Sequence, residues 1–216
     1  MSGLFKYLSG SFCMICLCAT SQTDFFKLYK QIDDKYNRLD VAVPTRADLT
    51  VADSVEIDAL QKKHTQFYED SVIPLLKNVH NLSFPDINFI DAANKDRTLS
   101  DYSNYDVIIN YTYLYCTTCI NRIDSTLKRI DPRKTKMIVL VSETYVKELP
   151  DLQRFGPNVI TGFINRENID LISLKQGDDC MYYLDKNRQI EYFDKSVYPR
   201  KQQYAGWLTF LDNRLK

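Results

Sequence analysis

Residues 107–119 read VIINYTYLYCTTC. The first part of this stretch, from Val107 to Tyr113, is a continuous run of β-branched and aromatic residues, which predicts a strand buried on both faces. Cys116 and Cys119 follow directly as a C-x-x-C pair. Apolar residues at three- and four-residue spacing then predict a helix that ends at Asp131-Pro132. The stretch therefore predicts a C-x-x-C pair at the junction of a buried strand and a helix.

That junction suits thiol–disulfide chemistry. A thiolate, not a thiol, attacks a disulfide, and the free N–H groups and positive dipole end of a helix stabilise a thiolate. Cys116, at the predicted helix start, is therefore the predicted nucleophile. Cys119 lies one turn further along the helix and is predicted to resolve the mixed disulfide formed with a substrate.

Two other uses of a C-x-x-C pair compete with this interpretation. A structural zinc site normally needs two more ligands, and this chain offers Cys180 and the distant histidines His64 and His80. A structural disulfide, or two buried thiols, would also fit the spacing. The position between strand and helix favours redox chemistry, and the sequence predicts neither a metal nor a cofactor.

Further elements appear on both sides of the motif. Apolar patterning predicts strands, helices and a hairpin, in this order: strand Ile87–Ile90, strand Met137–Val141, a helix over 143–154, the hairpin Met181–Leu184 with Gln189–Phe193, and a closing helix around Tyr204–Leu211. Strands that alternate with helices predict an α/β fold, and the hairpin adds an antiparallel part to the sheet. We place this domain at residues 82–216.

An N-terminal helical extension is predicted over residues 22–81. Helical spacing of apolar residues runs over 23–39 and again over 52–79, with a kink near Pro74. These helices carry no recognisable chemical motif. Packing against the main domain, or shaping its substrate groove, is their expected role.

Residues 1–21 have the pattern of a signal peptide. One lysine precedes a mostly apolar run over 7–17, and Ala19-Thr20-Ser21 supplies small residues at a cleavage site. An uncleaved anchor, or lipid attachment through Cys16 or Cys18, is the alternative. In each case the rest of the chain would be exported, to a compartment where disulfides persist.

The overall composition excludes several other classes of function. Lys plus Arg and Asp plus Glu both total 28, so the formal net charge of zero predicts no nucleic-acid partner. Six glycines, with no Gly-x-Gly-x-x-Gly or Walker-type stretch, argue against a nucleotide-binding loop. A hydrophobic content of 44% is typical of a globular protein.

The segment from Phe84 to Ile120 resembles the redoxin domain of TlpA/ResA-like thiol–disulfide oxidoreductases. The matching features are, in order, Pro85-Asp86, the hairpin strand, Leu99-Ser100, the buried strand, and Asn110-Tyr111 just before the motif. The resemblance implies a thioredoxin-like fold, a central mixed β-sheet flanked by helices. It also implies a bacterial periplasmic or envelope location, a protein or small-molecule disulfide as substrate, and a membrane-linked thiol electron donor.

This chain departs from the family pattern at three places. Tyr115 stands where a tryptophan is common, and Thr117-Thr118 replaces the usual dipeptide between the cysteines. The family's cis-proline is absent, and its position falls near Asp179 or Cys180. Tyr115, as the aromatic residue before Cys116, and Asp179 and Cys180, at the cis-proline position, are predicted to face the substrate. Cys180 has two interpretations: a small buried strand residue, which is the default, or a third thiol opposite Cys116.

Two functions from different classes follow. The first is an extracytoplasmic thiol–disulfide oxidoreductase that acts as a protein disulfide reductase through Cys116 and Cys119. The second, favoured by the missing cis-proline, is a non-catalytic binding module with a structural or regulatory C-x-x-C disulfide. A peroxidase would need a threonine where this chain has Tyr113.

Three polar residues near the motif receive weaker predictions. Asn110 either orients groups behind the cysteines or makes structural hydrogen bonds. Arg122 and Asp124, on the predicted motif helix, are expected to be solvated.

Overall fold

A seven-stranded sheet organises the residues described by the structure, a computed structural model. Those residues are 24–35, 59, 62–63, 66–112, 117–144, 155–174, 180–195 and 201–215. The strands are β1 (Asn88–Asp91), β2 (Asp96–Thr98), β3 (Asp106–Tyr111), β4 (Thr135–Ser142), β5 (Val159–Ile164), β6 (Cys180–Leu184) and β7 (Ile190–Lys195). Their order across the sheet is β2-β1-β5-β4-β3-β6-β7.

The sheet is mixed. Strands β3, β4 and β5 are parallel, whereas β1–β2, β1–β5, β3–β6 and β6–β7 pair antiparallel. The carboxyl ends of parallel strands share one edge of a sheet, and this is where ligand and catalytic sites of open α/β sheets lie. Because the C-x-x-C motif follows β3 in sequence, the chain enters it from that edge.

Helices cover both faces of the sheet. They are α1 (24–35), α2 (Ile73–Leu76), α3 (Thr117–Leu127), α4 (Arg166–Ile172) and α5 (Lys201–Arg214), with 3₁₀ turns at Lys77–Val79 and Leu99–Tyr102. Side chains of α1 and α4 share one core with alternate residues of the strands, whereas α3 and α5 share the other. We call these the α1 face and the α3 face. None of the helices in the described part of the chain is long and apolar enough to span a bilayer.

Helix α1 is an integral part of the core on the α1 face. Its residues Phe25, Leu28 and Ile32 are buried at helical spacing. The ring of Phe25 lies 5.5 Å from that of Phe84, which in turn packs edge-on against Tyr182 of β6. The predicted N-terminal extension therefore contributes directly to the apolar area that the sheet buries.

The helical segment before the sheet is irregular around Pro74. A π-helical turn, Tyr68–Val72, leads into the short helix α2, in which Pro74 occupies the first turn. Proline has no N–H to donate to the carbonyl four residues earlier, so the regular α-helical ladder is interrupted there. This change of helix type lies where the sequence predicted a kink.

Several sequence predictions agree with the structure. The predicted buried strands coincide with β3 and β4, the hairpin with β6 and β7, and the closing helix with α5. The helix after the motif ends at Leu127, earlier than predicted, because a turn precedes Pro132. Most of the helix predicted over 143–154 lies outside the described residues.

One unit of the fold was missed by the sequence analysis. Strand β5, which lies between β1 and β4 in the sheet, and helix α4, which follows it, were both missed. Gly162 lies within β5, and a Cβ there would come within 2.3 Å of the ring of Phe89. Glycine is therefore needed for the close approach of Phe89, although it weakens the strand signal of this segment.

Candidate redox site

The structure describes part of the predicted site. Cys119 lies on α3 and Cys180 opens β6. Tyr113, Tyr115, Cys116 and Asp179 lie outside the described residues. Their predicted roles, including the cis-proline position assigned near Asp179, therefore remain predictions.

Cys119 is the third residue of α3 and is 5% exposed. Its sulfur is disulfide-bonded. Cys180, the other cysteine in the described part of the chain, forms no disulfide. Cys116 is the disulfide partner of Cys119 that the motif predicts.

Helix α3 presents a buried stripe that starts at Cys119. Ile123 and Thr126, four and seven residues further on, are fully buried, which is the spacing of one helix face. The indole N–H of Trp207 on α5 donates to Oγ1 of Thr126 at 2.9 Å, and that hydroxyl donates to the carbonyl of Arg122 at 2.9 Å. This chain of hydrogen bonds connects the helix that carries Cys119 to the C-terminal helix.

Asn110 lies near the end of β3, on the face of the sheet that α3 covers. Its side chain is fully buried, and its Nδ2 donates to the carbonyl of Cys180 at 3.1 Å. Asn110 pairs with Met181 in the sheet, and Met181 pairs with Asp194. Directly opposed strand residues project from the same face, so Asn110, Met181 and Asp194 form one row on the α3 face. The structural hydrogen bond predicted for Asn110 is present.

Cys180 does not meet the expectation of a substrate-facing residue. It is fully buried, and its Sγ donates to the carbonyl of Ile172 at 3.4 Å on the α1 face. The α3 helix lies on the opposite face, where its Ile123 is buried. Strand alternation is the physical reason, because Met181, the next residue, takes the α3 face. The default interpretation of Cys180 as a small buried strand residue is the one that the structure supports.

Arg122 was predicted to be solvated, and this is wrong. It is 5% exposed, and its Nη2 lies 3.4 Å from Oδ2 of Asp194, which is also 5% exposed. Asp124, by contrast, is exposed as predicted. The helical spacing from Cys119 could have indicated that position 122 is close to the buried stripe, but Asp194 is too distant in sequence to be recognised as its partner.

Some of the residues that carried the family resemblance form a cluster of hydrogen bonds and an ion pair outside the redox centre. The carboxylate of Asp86 accepts a hydrogen bond from the Ser100 N–H at 2.9 Å and another, short one from the Ser100 hydroxyl. Arg188, in the β6–β7 turn, lies 3.2 Å from Asp86 and donates to Ser100 Oγ at 3.3 Å. The Pro-Asp and Leu-Ser pairs thus connect the first hairpin to the last.

No protein-family model and no curated protein matches the sequence. Solved structures do match. A putative protein disulfide isomerase from Bacteroides thetaiotaomicron has a TM-score of 0.50 and 17% identity, over 63% of this chain and 89% of that one. The thioredoxin domain of a thiol-disulfide oxidoreductase from Bacteroides vulgatus has a TM-score of 0.47 and 15% identity, over 61% of this chain and 97% of that one. A thiol peroxidase from Chromobacterium violaceum has a TM-score of 0.47 and 13% identity, over 62% and 86%.

At these identities the likeness concerns the fold. The chain has a thioredoxin-like fold, a mixed sheet flanked by helices, as the sequence predicted. The motif helix α3 follows the buried strand β3 in the chain, and one cysteine of the C-x-x-C pair is buried in it.

Proposed function

We propose that this chain is an exported thiol–disulfide oxidoreductase that reduces disulfides through Cys116 as nucleophile and Cys119 as resolving cysteine. The observation that carries the proposal is the disulfide-bonded state of Cys119 in the third position of α3, the helix that follows the buried strand β3. A thioredoxin-like fold with a C-x-x-C at this point of the chain supports redox use of the pair.

The proposed reaction has two exchange steps. The Cys116 thiolate attacks one sulfur of the substrate disulfide, forms a mixed disulfide, and displaces the other substrate sulfur as a thiolate. The Cys119 thiolate then attacks the Cys116 sulfur and displaces the remaining substrate sulfur, which takes up a proton. The substrate gains two electrons, and the protein ends with the Cys116–Cys119 disulfide.

The burial of Cys119 and the position of Cys116 in the sequence support different roles for the two cysteines. Cys119 is 5% exposed, so its sulfur suits attack within the protein better than attack on an incoming substrate. Cys116 precedes α3 in sequence, where the positive dipole end of a helix favours a thiolate. These considerations support Cys116 as the nucleophile.

The cellular part of the proposal rests on the leader pattern in residues 1–21. An exported protein that reduces disulfides needs a supply of electrons, because each turnover leaves its own pair oxidised. We therefore propose a thiol donor linked to the membrane as the partner that reduces the Cys116–Cys119 disulfide again.

Insulin reduction by the full chain tests the function. The reduced protein should reduce insulin, Cys119→Ser should accumulate a mixed disulfide with insulin, and Cys116→Ser should do neither. Cys180→Ser is the matched control, because it removes a buried thiol that is not in a disulfide and lies on the other face of the sheet, and it should keep full activity.

Two results would contradict the proposal. If wild-type protein leaves insulin oxidised and no variant accumulates a mixed disulfide, the binding module with a structural or regulatory disulfide is the better description. If Cys116→Ser and Cys119→Ser accumulate mixed disulfides equally, the fold is redox-active but the assigned roles are wrong.

A further inference from the structure

The buried ion pair between Arg122 and Asp194 has no evident structural necessity. Both side chains are about 5% exposed, and the closest nitrogen–oxygen distance is 3.4 Å. Removing two charges from water is costly, and replacement of such pairs by apolar residues of similar size is often neutral or stabilising. Stability alone therefore does not account for the pair, and its position next to Cys119 is informative.

Arg122 is one helical turn beyond Cys119. Residues three apart in an α-helix are neighbours on its surface, with Cβ atoms roughly 5–6 Å apart. Helical side chains lean towards the N-terminus, so the Arg122 side chain is directed towards the turn that holds Cys119. The guanidinium is thus the charge on α3 that is closest along the helix to the buried sulfur.

Asp194 approaches this guanidinium from the sheet. It lies in the row with Asn110 and Met181, on the face that α3 covers. The neighbouring positions of that row carry no charge. Two residues before Asp194 on β7 lies Tyr192: burial raises its pKa, the Asp194 carboxylate raises it further, and the Arg122 guanidinium lowers it. From α5, the apolar ring of Trp207 packs on Tyr192 at 5.5 Å.

Given the proposed function, we propose that Arg122 is a positioning residue whose guanidinium stabilises the Cys119 thiolate for the resolving step, and that Asp194 holds the guanidinium in place and limits this stabilisation. Burial disfavours a thiolate, and an opposite charge nearby favours it. The buried Cys119 must lose its proton to water before it attacks the Cys116 sulfur. The positive charge of Arg122 offsets the unfavourable effect of burial on the Cys119 thiolate in this step.

The test measures alkylation of Cys119 by iodoacetamide in the full chain, with Cys116→Ser as the parent so that Cys119 is free. Mass spectrometry of the Cys119 peptide separates its rate from those of the other cysteines. Arg122→Met should slow alkylation about tenfold at pH 7, because a nearby opposite charge typically lowers a pKa by at least one unit. Arg122→Lys, which keeps the charge, should retain most of the parent rate.

Asp194→Asn separates electrostatic from structural roles. It removes the carboxylate and leaves the cation, so Cys119 should be alkylated faster than in the parent, with the midpoint of its pH profile moved to lower pH. Loss of packing alone would not make Arg122→Met and Asp194→Asn change the rate in opposite directions. Arg129→Met is the matched control, since Arg129 pairs with Asp212 at 3.0 Å beyond the far end of α3. It should leave the rate unchanged.

The inference is wrong if Arg122→Met and Arg122→Lys are alkylated equally fast, or if Asp194→Asn does not accelerate the reaction. Should Arg122→Met fail to fold, the Lys and Asn variants decide the question. This assay uses no disulfide substrate, so its outcome is independent of insulin reduction. Slow alkylation of Arg122→Met in a protein that does not reduce insulin would overturn the proposed function and leave the role of Arg122 intact.

Discussion

The hydrogen bond between Trp207 and Thr126 offers a direct measure of what holds the motif helix in place. Both side chains are fully buried, and the indole N–H donates to Oγ1 of Thr126 at 2.9 Å. Thr126→Val keeps the volume of the side chain but removes the acceptor. We expect this substitution to leave the indole N–H buried without an acceptor, at a cost of about 2 kcal/mol of folding free energy.

The hydroxyl of Thr126 also donates to the carbonyl of Arg122. This carbonyl lies inside α3, where the backbone ladder supplies another donor, so loss of the second bond should add little. For a protein of this length, about 2 kcal/mol corresponds to a fall in Tm of roughly 4–8 °C. Thr126→Ser is the matched control. It keeps the hydroxyl and loses one methyl group, at a cost of about 1 kcal/mol.

The experiment measures equilibrium unfolding in urea. It compares Thr126→Val, Thr126→Ser, Trp207→Phe and the double variant Thr126→Val/Trp207→Phe with the wild type. Trp207→Phe removes the donor, so in the Thr126→Val background it should cost about 1–2 kcal/mol less than in the wild type. Equal costs of Trp207→Phe in the two backgrounds would refute the reasoning, as would a Thr126→Ser variant less stable than Thr126→Val.

Two further predictions concern carboxylates at the surface. Asp86→Ala should lower the free energy of unfolding in urea by about 1–2 kcal/mol, because it removes the shared acceptor of Ser100 and Arg188, and Asp86→Asn, which keeps one acceptor oxygen, should lose less; an Asp86→Ala variant as stable as the wild type would refute the prediction. The side chain and backbone N–H of Arg133 lower the pKa of Asp131 from 3.8 to about 2. The contribution of this carboxylate to the free energy of unfolding should therefore be fully present above pH 4 and be lost as the pH falls towards 2. Carboxyl NMR titration should give that value, and the pKa should rise towards the usual range in Arg133→Met, which loses the guanidinium but keeps the backbone N–H; an unchanged pKa in Arg133→Met would contradict the assignment.

Predictions from sequence succeeded where the signal is local. Strand β3, the helix after the motif, the β6–β7 hairpin and the closing helix α5 all follow from hydrophobic periodicity over short segments. Strand β5 was missed because the segment that forms it is interrupted by Gly162. Glycine is unfavourable in an isolated strand, and it is required here by the ring of Phe89, a residue distant in sequence.

In the candidate site, too, some features follow from local sequence and others depend on residues far apart in the chain. The C-x-x-C spacing and its place between a strand and a helix are properties of adjacent residues, so the sequence by itself determined the kind of chemistry to expect. Only the tertiary structure decided that Cys180 faces away from α3 and that Arg122 is buried against Asp194. The face of a strand residue depends on pairing register, and the burial of a charge depends on a partner supplied by another strand. Neither can be read from local spacing, because both depend on contacts between segments far apart in the chain.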